Sequence, residues 1–276
     1  MRNSLYWILA MIITLATVLY QRATGPTYDK EVTVTPGETG YTFTLPRSHG
    51  GETDCRIILE GTGSDIRAFL EYRRYPTSDS WTKLPMERQN SQLTGFLPHQ
   101  PPAGKLEYKI TLEKKGQTYP LNEGNPVVIR FKGEVPAAVL IPHVIFMFAA
   151  MFLSTLAGIM ALFRHRKYVL TGKVTLAVLF AGGLVLGPLM QWYAFGEPWA
   201  GIPFGWDLTD NKTLVAFLFW TIAVSMNLKK ERPAYTLVAA VVMLIVYSIP
   251  HSLFGSELDP ETGEIIQGWI NRLFLI

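Results

Sequence analysis

The chain has 276 residues, 49% of them hydrophobic and only 17% charged, against about 25% charged in an average soluble domain. The charge is unevenly placed: residues 28–133 hold most of it, while 137–163, 173–196 and 234–250 are nearly free of it, the signature of a chain shared between water and lipid. A net charge of +3 without a basic, aromatic-interleaved stripe argues against a nucleic-acid partner, and a single cysteine excludes an internal disulfide and Cys-rich metal sites.

In chain order, the first apolar stretch runs from about Leu5 to Tyr20, between Arg2 and Gln21-Arg22, with Tyr6, Trp7 and Tyr20 as interfacial anchors. No small-x-small cleavage site closes the apolar run, so residues 1–24 read as an uncleaved transmembrane signal anchor. Residues 25–134 then read as short strands broken by turns. Glu31–Thr35 alternates and stops at Pro36-Gly37; Tyr41–Leu45 stops at Pro46; Arg56–Glu60, Arg67–Tyr72, Lys105–Leu112 and Pro126–Phe131 follow. Cys55 falls here as a half-buried strand residue. His49 and His99 are turn residues, and of Arg73 and Arg74 at least one is expected to be plainly solvated, since strand side chains alternate.

Four further apolar stretches follow: Ala137–Phe163, Val174–Phe195, Leu208–Leu228 and Ala234–Leu253. Residues 135–254 thus read as a four-helix transmembrane bundle. The basic loops Arg164–Lys167 and Lys229–Arg232 belong on the cytoplasmic side by the positive-inside tendency. The N-terminus is then cytoplasmic as well. The β-domain, the loop Gly196–Asn211 and the tail 255–276 are extracytoplasmic, the tail carrying a hairpin turn at Asp259–Gly263. The expected class is membrane α + β: anchor, extracytoplasmic β-sandwich, four-helix bundle. Gly183 and Gly187 form a small-residue packing face, and Pro188 is expected to kink its span.

The stretches Phe69–Tyr75, Trp81–Met86, Leu93–Pro98 and Gly104–Tyr108 resemble fibronectin III or immunoglobulin-like modules across residues 69–108, which implies that fold and a binding or spacing role. A second resemblance rests on His143, in Ile141-Pro-His143, His251, in Ile249-Pro-His251, and the Trp-rich loop between them. With Trp199, Trp206, Asp207, Leu214 and Trp220, residues 196–220 are similar to the Trp-Asp loop of the haem-handling proteins of cytochrome c assembly. The resemblance implies haem b with His143 and His251 as axial ligands, and Trp199, Trp206 and Asp207 at the porphyrin. Asp210 or Thr209 is placed to cap the helix that follows.

No Walker loop, dinucleotide fingerprint, nucleophile–base pair or metal-ligand spacing occurs. The leading expectation is therefore a non-enzymatic envelope protein of the inner or plasma membrane. Its partners are the lipid bilayer and other membrane or envelope proteins, which it serves as an accessory or scaffold subunit. The alternatives are a haem-binding or haem-handling protein and a small transporter.

Overall fold

The computed structural model describes residues 2–25, 28–250 and 256–267. It has an N-terminal apolar helix, β-sheets and then further apolar helices, and it divides into two compact units. One holds the helices; the other comprises residues 27–134 together with 257–266. His251, Trp269 and the last apolar residues, Leu273–Ile276, lie outside the described residues.

The β-unit runs β1 (Lys30–Val34), β2 (Tyr41–Leu45), β3 (Ser48–Gly50), β4 (Cys55–Leu59), β5 (Ile66–Arg74) and β6 (Thr82–Pro85). β7 (Glu87–Gln89), β8 (Gln92–Leu97), β9 (Lys105–Lys114), β10 (Gln117–Pro120) and β11 (Val127–Lys132) complete it. The main sheet is ordered β3-β11-β9-β5-β6, with β10 also on β9; β4-β8-β7 and β1-β2 form smaller sheets. Period-two alternation builds the core. Ile66, Ala68 and Leu70 of β5 and Leu106, Tyr108, Ile110 and Leu112 of β9 point inward, onto Ile57 and Leu59 of β4 and Leu93 and Leu97 of β8. Each buried Leu or Ile among them contributes about 1.5–3 kcal/mol by burial. The Tyr108 hydroxyl, inside this core, donates to the Pro46 carbonyl at 2.9 Å.

The helical unit contains α1 (Arg2–Ala23), α2 (Ala137–Leu162), α3 (Tyr168–Leu179), α4 (Gly187–Phe195), α5 (Leu208–Met226) and α6 (Pro233–Ser248). α3 and α4 are two halves of one helical run, joined by a π-helical segment, Phe180–Leu186. Pro188 has no N–H to give and crowds the preceding turn, and the wider π turn accommodates it. Just before it, Gly182 and Gly183 bring α2 and α5 close. A Cβ on Gly182 would stand 2.8 Å from Phe146 Cβ, and one on Gly183 2.7 Å from Thr213 Cγ2.

α1 packs on the helices that follow: Tyr6 and Ala10 pack with Leu156, Met160, Ala161 and Tyr168, and Val18 packs against the core around Trp220. One feature differs from the sequence reading. Among the described residues, three helical runs are long and apolar enough to cross a membrane: Ser4–Ala23, Ala137–Leu162 and Tyr168–Phe195. The two later stretches fall short of that measure. α5 opens on the polar turn Thr209-Asp210-Asn211-Lys212, and α6 has 16 residues, about 24 Å of helix.

Candidate functional site

The loop between α4 and α5 is tied by side chains at the start of the helix it precedes. Asp207 is the N-cap of α5: its carboxylate accepts from the Thr209 and Asp210 N–H groups at 2.8 and 3.2 Å. The cap therefore falls on Asp207, not on Asp210 or Thr209, because a capping residue must precede the helix and both of those already lie within it. Asp210, one turn in, reaches back to accept from the Ala200 N–H at 2.6 Å and from Gln191 Nε2 at 3.1 Å. Asn211 Oδ1 accepts from the Ile202 N–H at 2.8 Å. Gly201 fills the space between, where a Cβ would stand 2.7 Å from Asp210 Cβ.

The predicted site residues separate on this frame. Trp199 and Asp207 share the loop; Trp199 Nε1 donates to the Ile202 carbonyl at 3.1 Å. Trp206 projects outward, 57% exposed, beside Phe204 at 80%. Trp220 is a core residue, its Nε1 donating to Ser154 Oγ at 3.2 Å. His143 donates through Nδ1 to the Gly182 carbonyl, 3.0 Å away in the π segment, and its Cε1 lies against Gly187. For a haem, then, His143 offers Nε2 alone, since the bond to Gly182 requires the proton on Nδ1. The carboxylate of Asp207 is engaged as a helix cap and the indole of Trp199 in its own turn. Of the two histidines read as axial ligands, His143 is the one within the described residues, and it leaves Nε2 for an iron.

Sequence reasoning missed a second polar assembly. Lys212, only 4% exposed, donates from Nζ to the Ile249 carbonyl at 2.8 Å. Gln21 of α1 donates from Nε2 to the Tyr247 carbonyl at 2.6 Å and more weakly to that of Ile249 at 3.3 Å. Both serve the end of α6, whose last carbonyls have no partner within the helix because Pro250 stops it. The available signal was a lysine inside an apolar stretch, which needs a partner at hand. Beside Gln21 lies a cavity of about 60 Å³ lined by Val18, Met147, Phe148, Met151 and Tyr247, far below the roughly 300–1,000 Å³ of small-molecule sites.

At the opposite ends of α3 and α5, Asn227 was missed as well. Its Oδ1 accepts from the Tyr168 hydroxyl at 2.8 Å and the Arg232 N–H at 2.7 Å. Its Nδ2 donates to the Ala223 carbonyl at 2.8 Å.

In the β-unit, Arg73 is half-buried and Arg74, at the end of β5, is exposed, so one of the two is solvated as strand alternation implies. Arg73 pairs with the buried Glu107 and lies 4.7 Å over the Trp81 ring, which Lys109 also approaches, at 4.0 Å. Arg74 pairs with Asp79 at 2.7 Å and donates to the Pro260 carbonyl at 2.9 Å. His49 and His99 both set their rings edge-on to Phe131, with centroids 5.6 and 6.1 Å away. Cys55 is buried, and burial, with the charge of Asp29, pushes its thiol up to about 11. Among the described residues no group of three or more His, Cys, Asp or Glu is arranged to hold a metal ion. No protein family, no curated protein and no solved structure matches the chain.

Proposed function

We propose that the chain is a non-enzymatic integral membrane protein of the cell envelope, an accessory or scaffold subunit that binds partner proteins through its β-unit and helices. It crosses the membrane five times, with the N-terminus and both basic loops cytoplasmic. The β-unit, read as a sandwich of the immunoglobulin or fibronectin III kind, is extracytoplasmic. The observation that carries this is the way the chain passes between its two units. The linkers after Ala23, before Ala137 and after Ser248 all join helices to the β-unit, and the last returns the chain to that unit as residues 257–266. All three linkers are short and lead to one unit, which supports placing the end of α1, the start of α2 and the end of α6 on one side of the bilayer. An even number of crossings between Ala137 and Ser248 then follows.

The helix surfaces support lipid as the solvent. Ile12 and Leu19 of α1 are 58% and 67% exposed, and exposed rows of such residues call for lipid or a partner helix to cover them. The polar side chains of the α4–α5 loop are engaged in holding its own backbone, which suits a frame rather than a reaction centre.

Labelling with a membrane-impermeant maleimide tests the topology, since the masked thiol of Cys55 makes the native chain a nearly silent background. Glu52→Cys is expected to label on intact cells, and Lys230→Cys only after permeabilisation; the reverse pattern would overturn the orientation. Cross-linking in native membranes is expected to trap the chain with a defined partner. The purified protein is expected to be colourless; a Soret band that disappears in His143→Ala would replace this reading with the haem one.

A further inference from the structure

The last described segment, residues 256–267, forms a hairpin of β12 (Ser256–Leu258) and β13 (Ile265–Gln267). Its turn is closed internally: the Asp259 carboxylate accepts from the Glu261 N–H at 2.8 Å, and the Asp259 N–H donates to the Glu264 carbonyl at 2.8 Å. The hairpin carries four carboxylates, Glu257, Asp259, Glu261 and Glu264.

It sits on a basic end of the main sheet. Glu257 pairs with Lys105 at the start of β9, both largely buried. The Leu258 N–H donates to the Ala103 carbonyl at 3.1 Å, and Arg74, at the end of β5, donates to the Pro260 carbonyl. Arg130 of β11 stands opposite Lys105 in the register and is buried too. Arg74, exposed and also paired with Asp79, and the buried Lys105 thus both meet the acidic strap, with Arg130 beside Lys105.

The contacts between strap and sheet include an ion pair, a main-chain bond and a carbonyl contact, with Leu258 approaching the chain near Gly104. Bonds of this kind are exchanged for equivalent ones at small net cost, and a surface strap brings its ends together without large entropy loss. We propose that this basic end of the sheet is a binding surface for an acidic peptide segment of a partner protein, and that the strap is its resident, displaceable occupant. The proposal rests on reading the β-unit as the partner-binding module and names the chemistry of what it binds. The resident occupant supplies the argument for a peptide. It uses a backbone N–H as well as carboxylates, which an extended chain reproduces and a phosphate headgroup does not.

The test uses the full-length protein in detergent micelles and, as probe, a fluorescent synthetic peptide with the sequence Ser256–Gln267. The double variant Glu257→Gln, Glu261→Gln weakens the strap, and amide exchange at Leu258, whose N–H is bonded to Ala103, reports its release. Exchange is expected to quicken, and the variant to bind the peptide on the order of tenfold more tightly than the native chain. Adding Arg74→Gln and Lys105→Gln should abolish that gain. Faster exchange without peptide binding would overturn the proposal, as would exchange that does not change, because the strap is then a fixed part of the sheet. Preferential binding of phosphatidylglycerol vesicles over the peptide would overturn the chemistry assigned to the partner. Cross-linking separates this from the broader reading. A partner still trapped by the Arg74→Gln, Lys105→Gln chain sinks only the proposed surface, whereas a native chain that traps no partner sinks the partner-binding role itself.

Discussion

Asp210 shows how much one buried carboxylate can organise. It gathers the Ala200 N–H and the Gln191 amide onto one side chain, and hydrogen bonds to a charged group are worth about 1.5–3 kcal/mol each. Asp210→Ala is therefore expected to destabilise the helical unit by about 2–4 kcal/mol. It should also open the loop to chymotrypsin at Phe204 and Trp206; a native cleavage pattern would show that the frame does not depend on this carboxylate. At Cys55 the expected effect depends on pH. The folded thiol titrates near 11, above the roughly 8.5 of an unfolded cysteine. Folding thus favours the protonated form, and the associated stability is full below about pH 8.5 and is lost as pH rises towards 11. The native chain should lose on the order of 2 kcal/mol more than Cys55→Ala across that window. Equal pH dependence of the two in alkaline unfolding would count against it.

Among the elements, helix contacts depend on small residues and on one amide. A Cβ on Gly158 of α2 would stand 2.6 Å from Ala240 Cβ of α6, so Gly158→Val must force the two helices apart, at a cost of about 1–3 kcal/mol. A melting temperature unchanged in detergent would refute that packing. Asn227 works at the α5–α6 turn, where its amide satisfies the Arg232 N–H and the Tyr168 hydroxyl at once. Removing it strands buried groups that each cost about 1–3 kcal/mol. Asn227→Ala is accordingly expected to lower stability more than Tyr168→Phe, which orphans only one acceptor, and a thermal-unfolding comparison of the two variants checks the order.

For the molecule as a whole, the place of α1 has the largest consequence. If it only tethered the chain, an unrelated transmembrane anchor could replace residues 2–24 without effect. Its packing with α2 and its Gln21 bond to the end of α6 lead to the opposite expectation: the exchanged chain should insert but melt at a distinctly lower temperature. Insertion with an unchanged melting temperature would return α1 to the role of a simple tether.

Hydropathy and period-two alternation are local and are written in consecutive residues, so the division into apolar helices and β-sheets was legible before any folding. Glu31–Thr35, Tyr41–Leu45 and Lys105–Leu112 were legible as strands for that reason, and Ala137–Phe163 as a helix. The short strands β3, β6, β7 and β10 were not, since each takes its shape from the neighbour it pairs with. The same limit governed the candidate site. Trp199, Asp207 and His143 stood out as residue types, yet their bonding to Ile202, to the first turn of α5 and to Gly182 is a matter of chain paths meeting in space. Lys212, Gln21 and Asn227 have partners 37, 226 and 59 positions away, beyond any local pattern. What those polar groups hold is settled by packing, because a buried donor is satisfied by whichever carbonyl the fold brings within reach.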